Sequence, residues 1–279
     1  MKVLLTGCNG QVGWELERSL APLGQVTATD LATLDLADAD ATRRAVRAAK
    51  PDVIVNAAAY TAVDKAESER DLAHAINATA VGVLAEETKR LGALLVHYST
   101  DYVFDGTKGT PYVEDDAPNP VNVYGASKLA GERAAQASGC AYLILRTSWV
   151  YGPRGSNFML TMLRLARERP ELQVVDDQIG APTSSLAIAR ATAQLLRRGT
   201  GGLYHLTAAG AVSWCGFARA ILARAGIATP VRAIRTEDYP TPAKRPRNSR
   251  LDCSRLRADF GVSLAPWEEQ LSEVTFDAP

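Results

Sequence analysis

Tyr124 and Lys128 are the two residues whose types and spacing most directly indicate chemistry. They stand four positions apart, so on a helix their side chains lie on one face, about one turn apart. A lysine ammonium beside a phenol favours the phenolate and lowers the pKa of the tyrosine, which makes the phenol a usable acid or base near neutrality. Because the pattern Tyr-x-x-x-Lys also arises by chance, its meaning depends on where the fold places it.

The helix predicted to carry this pair follows the polar exit of an apolar run, residues 99–102. In an open α/β sheet, ligands bind outside the carboxyl ends of the strands. The pair is therefore expected at the edge of the sheet where a nicotinamide would lie.

A glycine-rich loop occupies the end of the first apolar run. Gly7, Gly10 and Gly13 have the spacing Gly-x-x-Gly-x-x-Gly, which differs from the commoner Gly-x-Gly-x-x-Gly. The first glycine permits a tight turn, the second lets the backbone approach a pyrophosphate, and the third lets helix pack close to strand. The helix N-terminus then offers free amides to phosphates. A plain strand-to-helix turn is the structural alternative. The dinucleotide interpretation assigns cofactor contacts to Gly7, Asn9, Gly10, Gln11, Val12 and Gly13.

Two acidic residues follow at positions where an adenosine would lie. Asp30 ends the second apolar run and can accept hydrogen bonds from ribose hydroxyls, which favours NADH and would repel a 2′-phosphate. Asp35 and Leu36 are expected near the adenine edge. The alternative for either aspartate is a turn or cap residue.

The elements that must position these residues alternate at a regular interval. Short apolar runs rich in Val, Ile and Leu cover residues 2–6, 25–29, 52–56, 93–99 and 141–147. Segments with helical spacing lie between them, at 11–23, 39–49, 69–91 and 123–137. Buried strands joined by helices are typical of a parallel sheet covered on both faces. The predicted fold class is α/β, a Rossmann-like doubly wound parallel sheet.

After residue 151 the alternation breaks down. Helices are predicted at 157–167, 184–198 and 213–225 and strands at 173–175 and 202–207, whereas 229–248 is rich in Pro and Arg without periodicity. We predict a cofactor domain over 1–150, to which 178–206 returns. A smaller α/β substrate-binding lobe is predicted from 151–177 and 207–279.

Composition excludes several classes of function. The 31 Lys and Arg residues balance the 31 Asp and Glu residues, so the electrostatic footprint of a nucleic-acid-binding or membrane-binding protein is missing. The four cysteines are scattered, and with three histidines they form no zinc-like pattern. No apolar stretch reaches the roughly 18 residues of a membrane helix. We expect a cytoplasmic protein with no nucleic-acid or membrane partner and no metal ligands.

Together the glycine loop, the alternating elements and the Tyr-x-x-x-Lys pair resemble the extended branch of the short-chain dehydrogenase/reductase superfamily. Five further strings narrow the resemblance to the dTDP-4-dehydrorhamnose reductase family: NAAAYTAVDKAE (56–67), STDYVFDG (99–106), RTSWVYG (146–152), DQIGAPT (177–183) and RPRNSRL (245–251). The resemblance implies reduction of a dTDP-linked 4-keto-6-deoxy sugar at C4 by NADPH or NADH. It implies that Tyr124 is the proton donor, that Lys128 holds the nicotinamide ribose and tunes Tyr124, and that Thr100 hydrogen-bonds the substrate oxygen.

The same resemblance implies the remaining site residues. Asp101, Tyr102 and Trp149 would shape the sugar pocket, and Arg245 would reach the diphosphate. The cofactor would be flanked by Ala57, Ala58, Ala59 and Thr61, and small alanines after a strand do suit close approach to a flat ligand. Core filling is the alternative for Trp149 and Tyr102.

Some members of the family are dimers bridged by Mg²⁺ held by carboxylates, and Glu15 matches one such position. The segment 185–190, which would supply partner carboxylates, contains no acid, and Mg²⁺ needs oxygen ligands. We predict weak or absent Mg²⁺ bridging and a monomer or weak homodimer.

Four other functions remain open. A nucleotide-sugar dehydratase would carry a second acid after Asp101, where this chain has Tyr102. An epimerase would retain its NAD through turnover. A reductase of another 4-keto-deoxy sugar, or a non-catalytic subunit like the regulatory subunit of methionine adenosyltransferase, would share most of these motifs.

Overall fold

A computed structural model of the chain describes residues 1–199 and 201–275. Residues 200 and 276–279, the latter at the end of the predicted substrate lobe, lie outside the described residues. The strands in chain order are β1 (Lys2–Thr6), β2 (Gln25–Thr29), β3 (Val53–Asn56), β4 (Leu94–Thr100), β5 (Ala141–Thr147), β6 (Val150–Tyr151), β7 (Leu172–Val175), β8 (Ile179–Gly180), β9 (Thr183–Ser184), β10 (Gly202–His205), β11 (Val212–Ser213) and β12 (Val231–Ile234).

The helices accompany these strands in the predicted alternation. They are α1 (Gln11–Leu20), α2 (Ala39–Ala49), α3 (Val63–Ala66), α4 (Arg70–His74), α5 (Ala80–Leu91), α6 (Val123–Ser138), α7 (Phe158–Glu168), α8 (Ser185–Arg197), α9 (Trp214–Arg224), α10 (Ser254–Phe260) and α11 (Trp267–Glu273). None of these described helices is long and apolar enough to cross a lipid bilayer.

Six parallel strands form the central sheet, in the order β10-β5-β4-β3-β1-β2. The Rossmann-like doubly wound prediction is therefore confirmed. The strand order reverses between β1 and β3, and in such sheets the ligand crevice lies at the carboxyl ends of the strands beside this switch point. The glycine loop leaves β1 at that place.

Successive residues of the central strands face opposite sides of the sheet, because side chains alternate along a strand. Val3, Leu5 and Val55 belong to one buried cluster with residues of α1 and α8. Leu4 and Ile54 belong to a second cluster with residues of α2 and α5. Helices therefore cover both faces, as the near-continuous apolar strands predicted.

A second core lies in the later part of the chain. It unites α7, α9 and α11 with the parallel pair β7–β12 around buried residues such as Met159, Phe217 and Trp267. Leu256 and Val262 instead pack in a cluster of the central sheet. The division of the chain into cofactor domain and lobe, with 178–206 returning to the sheet, stays a prediction, although β10 does pair with β5.

Several elements differ from the sequence-based expectation, and two of them are informative. The segment 69–91, predicted as one helix, is interrupted by a π-turn at Ala75–Thr79. The sequence did not reveal this turn, because a π-turn inserts one residue without destroying the apolar pattern on either side. Strand β12 lies in the stretch that showed no periodicity. Four residues are too few to display a strand pattern, and pairing with β7 defines this strand.

Candidate active site

The loop between β1 and α1 leaves the first helix amides free. Gly7 has a φ of +73°, which favours glycine, and a Cβ on Gly13 would lie 2.0 Å from the Gly7 carbonyl oxygen. Gly10 is the N-cap residue of α1, with no side-chain cap and no acid in the first turn. Uncapped amides at a helix N-terminus suit a phosphate group. The residues here fit a dinucleotide pyrophosphate.

Asp30 stands at the end of β2 and is tied to the glycine loop. Asn9 Nδ2 donates a hydrogen bond to Asp30 Oδ2. The Thr33 hydroxyl and the Thr33 backbone amide donate to Oδ1 over 2.9 and 3.0 Å. These bonds, led by that of the Thr33 hydroxyl, lower the pKa of Asp30. An ionised carboxylate therefore occupies the position expected to meet ribose hydroxyls.

Of the other two residues predicted to contact the adenosine, one is exposed and one is buried. Asp35 is exposed and accepts a hydrogen bond from the Ala37 amide over 2.9 Å, which makes it a turn residue in this structure. Leu36 is buried in a small cluster that Ala58 packs against. Their cofactor contacts stay predictions.

The loop after β3 is held in place by Asn77, a residue that sequence reasoning missed. Asn77 Oδ1 accepts from the Tyr60 amide over 2.8 Å, and Asn77 Nδ2 donates to the Tyr60 carbonyl over 3.0 Å. Nδ2 also donates to Ser127 Oγ on α6 over 3.0 Å. The π-turn that carries Asn77 thus connects the alanine loop to the helix of the Tyr-Lys pair. Ala57, Ala58 and Ala59 are half-buried here, and Thr61 is exposed.

Tyr124 is brought to the end of β4 by close backbone packing. A Cβ on Gly125 would lie 2.1 Å from the Tyr102 carbonyl oxygen, so only glycine lets α6 approach the turn at Asp101–Val103 this closely. The rings of Tyr102 and Tyr124 meet edge to face with centroids 5.5 Å apart. The Thr100 side chain lies near Tyr124 and acts to lower its pKa, and the Thr100 hydroxyl accepts a hydrogen bond from the Tyr102 amide over 3.1 Å.

Lys128 lies one turn further along α6 and is buried. Its Nζ donates to the Tyr98 carbonyl over 2.6 Å and lies 3.4 Å from His97 Nε2. Burial lowers the pKa of Lys128 to about 8, although Glu132 acts in the opposite direction. Thr100, Tyr124 and Lys128 are therefore gathered at one edge of the sheet.

The expectation that Lys128 lowers the pKa of Tyr124 is not met in this arrangement. The pKa of Tyr124 is raised to about 12, mainly by burial and also by the charge of Asp101, and the Thr100 side chain only partly opposes this rise. The reason is that the Lys128 ammonium is directed to the Tyr98 carbonyl. A phenol of high pKa stays protonated at neutral pH, which suits a proton donor.

Asp101 is a buried carboxyl group with an unmatched oxygen. Its side chain is 2% exposed, Oδ1 accepts from the Thr100 hydroxyl over 3.1 Å, and Oδ2 has no partner. Burial raises the pKa of Asp101 to about 7, although the neighbouring Ser249 and Thr100 side chains act to lower it. The free oxygen is available to a ligand hydroxyl.

This pKa predicts a pH dependence of stability. An aspartate in the unfolded chain titrates near pH 4, so between about pH 4 and about pH 7 the folded chain holds the extra proton and stability falls as pH rises. Asp101→Asn removes that contribution. Urea unfolding at about pH 5 and about pH 7 should show a smaller difference for the variant than for the wild type. Equal differences would contradict the raised pKa.

Trp149 lies in the short connection between β5 and β6 and packs against the later part of the chain. It has a positive φ of +48°, and its ring stacks on Trp214 with centroids 3.5 Å apart and planes 9° apart. A Cβ on Gly180 would lie 2.5 Å from the Trp149 ring. The ring therefore contacts both Gly180 and Trp214, and sequence reasoning missed Trp214. Non-glycine residues in this backbone region concentrate at functional sites.

Arg245 is engaged by a carboxylate from the other half of the chain. Its guanidinium binds Asp64 of α3 through two hydrogen bonds of 3.0 and 2.7 Å. That pair lowers the pKa of Asp64. Arg245 also borders a cavity of about 320 Å³ that Trp214, Phe158, Gln178 and Tyr239 help to line. A bound diphosphate would have to share or displace Asp64.

The Mg²⁺ position suggested by the resemblance does not fit this chain. Glu15 is 7% exposed, and the charged groups that act on it are Arg18, Arg190 and Arg154. Cations beside a carboxylate oppose metal binding. Among the described residues, no group of three His, Cys, Asp or Glu side chains is placed to hold a metal ion.

Known proteins with similar sequences and structures identify the family of this chain. Residues 1–278 match the family model described as the RmlD substrate binding domain. A dTDP-4-dehydrorhamnose reductase of Burkholderia thailandensis is 52% identical, over 96% of this chain and 95% of that protein. The crystal structure of a dTDP-4-dehydrorhamnose reductase from Clostridium acetobutylicum has a TM-score of 0.95 at 41% identity and covers 98% of both chains. That of a Bacillus anthracis reductase in complex with NADP has a TM-score of 0.95 at 38% identity and covers 99% of both chains. The chain therefore belongs to the dTDP-4-dehydrorhamnose reductase family.

Proposed function

We propose that this protein reduces the C4 keto group of dTDP-4-dehydro-L-rhamnose with NADPH or NADH, giving dTDP-L-rhamnose. The observation that carries the proposal is the gathering of Thr100, Tyr124 and Lys128 at the edge of the parallel sheet that also carries the uncapped N-terminus of α1, in a chain related to such reductases over almost its full length. When bound, the nicotinamide supplies the hydride.

The protein's own groups handle the proton and the charge. Tyr124, kept protonated by its raised pKa, gives its proton to the oxygen that becomes the C4 hydroxyl. Thr100 donates a hydrogen bond to the same oxygen and so shares its developing charge. We assign Lys128, one turn further along α6, to the nicotinamide ribose.

The substrate is held between the sheet and the later part of the chain. We assign the sugar to Asp101, Tyr102 and Trp149, and the diphosphate to Arg245. The loop Gly7–Gly13 with Asn9, Gln11 and Val12, together with Asp30, Asp35, Leu36, Ala57, Ala58, Ala59 and Thr61, is assigned to the cofactor. In support, Gln11 Oε1 accepts a hydrogen bond from Asn157 Nδ2 over 2.9 Å, so the phosphate loop contacts the segment that leads into α7.

The decisive experiment supplies dTDP-4-dehydro-L-rhamnose, formed in situ, and follows the loss of NAD(P)H absorbance. Oxidation that depends on enzyme and sugar, with dTDP-L-rhamnose as product, supports the proposal. If no oxidation occurs, the specific substrate is wrong. NAD that stays bound through desalting and turns over without net oxidation would favour an epimerase instead.

Cofactor choice is expected to depend on Asp30. The ionised carboxylate would lie near a 2′-phosphate and repel it, so we expect kcat/KM for NADH to exceed that for NADPH. Asp30→Asn should raise kcat/KM for NADPH, with little change for NADH. A wild-type preference for NADPH that the substitution leaves unaltered would contradict this electrostatic argument.

We also propose that the protein acts in the cytoplasm as a monomer or weak homodimer without Mg²⁺. All four cysteines are free thiols, which suits a reducing compartment, and arginines surround Glu15. Sedimentation with Mg²⁺ and with chelator should give the same mass. Stoichiometric Mg²⁺ in unchelated protein, or a dimer that chelator dissociates, would contradict this proposal.

A further inference from the structure

A row of buried polar side chains crosses three neighbouring strands of the central sheet and ends at Lys128. Thr6, Asn56 and His97 occupy matched positions on the neighbouring strands β1, β3 and β4. They are 1%, 1% and 0% exposed, and Lys128 is 3% exposed. The three strand residues continue the face that carries Leu4, Ile54 and Leu95. Burying four polar groups is unfavourable unless each is hydrogen-bonded, so their bonding pattern is tightly constrained.

The atoms of this row are joined in sequence. Thr6 Oγ1 lies 2.7 Å from Asn56 Oδ1, Asn56 Nδ2 lies 3.2 Å from His97 Nδ1, and His97 Nε2 lies 3.4 Å from Lys128 Nζ. A neutral imidazole carries one N–H, and the hydrogen bond made by one ring nitrogen decides which nitrogen is protonated. His97 is neutral, because burial and the Lys128 charge hold its pKa well below the usual range.

Two directions of hydrogen bonding satisfy every contact in the row, one with Lys128 Nζ as the acceptor from His97 and one with Nζ as the donor to it. In the first, Thr6 donates to Asn56 Oδ1, Asn56 Nδ2 donates to His97 Nδ1, and His97 Nε2–H donates to the lone pair of a neutral Lys128 amine. In the second, the Lys128 ammonium donates to Nε2, Nδ1–H donates to the Asn56 carbonyl oxygen after the amide flips, and Nδ2 donates to Thr6. If one part of the row follows the first arrangement and another part follows the second, two donors or two acceptors face each other at the contact between the parts.

We propose that His97 is a positioning residue for Lys128, whose change between ammonium and amine reverses the whole row from Lys128 to Thr6. The reversal takes up one proton in total: Nζ gains it, and the imidazole stays neutral while its single N–H moves between Nε2 and Nδ1. The row therefore links the charge state of Lys128 to Thr6, the residue that precedes Gly7 of the phosphate loop. The consequence for turnover rests on the proposed function, whereas the reversal does not.

Other titratable groups near Lys128 do not replace His97 in this role. Glu132, on α6, is paired with Arg146 through hydrogen bonds of 2.8 and 2.7 Å. Tyr124, also on α6, interacts with Thr100 and with the charge of Asp101 after β4. Of the two hydrogen-bond partners of Lys128 Nζ among residues 1–199 and 201–275, the Tyr98 carbonyl can only accept, whereas His97 can either donate or accept.

Nitrogen NMR of the histidine side chains tests the proposal without turnover. The sequence contains three histidines, and His205 is an internal reference because its Nδ1 faces the Asp252 carbonyl over 3.2 Å, which holds its proton on Nδ1. Ligand-free protein labelled with ¹⁵N-histidine is titrated from about pH 6 to about pH 10. We expect the His97 proton to move from Nδ1 to Nε2 as Lys128 loses its charge, while His205 does not change.

Lys128→Met is the matched control, since it removes the titrating amine and keeps an unbranched side chain. Its His97 should show one tautomer throughout. A single His97 tautomer in the wild type, or a transition that persists in Lys128→Met, would overturn the proposal. Protein that shows the transition yet fails to reduce the sugar would refute the proposed function and leave this inference standing.

For a second variant, the proposal predicts the direction in which the pH profile of kcat/KM moves. In Asn56→Asp the carboxylate can only accept, so the His97 proton should stay on Nδ1 and Nε2 should favour the ammonium. The alkaline limb of kcat/KM should then move up by roughly one pH unit, whereas loss of packing alone would lower activity at every pH. An Asn56→Asp protein whose His97 carries its proton on Nε2, or whose alkaline limb stays in place, would contradict the proposal.

Discussion

Tyr124→Phe is expected to lower kcat roughly 10²–10⁴-fold, the usual contribution of a positioned proton donor. The substitution removes only the hydroxyl, so the ring can keep its edge-to-face contact with Tyr102 and the fold should be unchanged. The hydroxyl is the group that meets Thr100 and is kept protonated by burial. Steady-state kinetics with the in situ sugar substrate measures the loss.

Cofactor binding supplies the control for this experiment. Since the phosphate loop and Asp30 lie on other elements, NAD(P)H should bind Tyr124→Phe with nearly the wild-type dissociation constant in a fluorescence titration. Thr100→Val should lose less than Tyr124→Phe, because it removes one hydrogen bond and leaves the donor in place. Activity that survives in Tyr124→Phe would show that another group delivers the proton.

Glu132→Leu is expected to lower the free energy of unfolding by about 3–5 kcal/mol, because it leaves a buried cation without its partner. Glu132 and Arg146 are 1% and 3% exposed and form two hydrogen bonds. Arg146 Nη1 already lacks a partner, so no second acceptor is at hand to replace the carboxylate. Urea unfolding measures the change.

The double variant Glu132→Leu with Arg146→Met separates charge from packing. Removing both charges should restore most of the lost stability, since an apolar pair can replace a buried ion pair. The matched control is Glu168→Gln, which breaks the exposed pair with Arg164 and should change stability by less than about 1 kcal/mol. A double variant as unstable as Glu132→Leu would show that shape, rather than the unpaired charge, causes the loss.

Local sequence patterns predicted the strands and helices that carry the site residues. The five strands predicted in the first half agree with β1–β5 within one residue at each end, because a fully buried parallel strand is apolar along its whole length. Helix periodicity placed Tyr124 and Lys128 on α6, and the glycine spacing located the turn before α1. Each of these features depends on residues close together in the chain.

The sequence by itself determined the order of strands and helices, the glycine loop and the Tyr-Lys pair on one helix face. Only the tertiary structure decided what those residues touch: Lys128 meets His97 and the Tyr98 carbonyl, Trp149 stacks on Trp214, and Arg245 pairs with Asp64, 181 positions away. Contacts between distant residues follow from strand order and packing, which leave no periodic trace in the chain. The pKa of Tyr124 follows the same rule, because burial, which depends on the whole fold, is the largest cause of its rise.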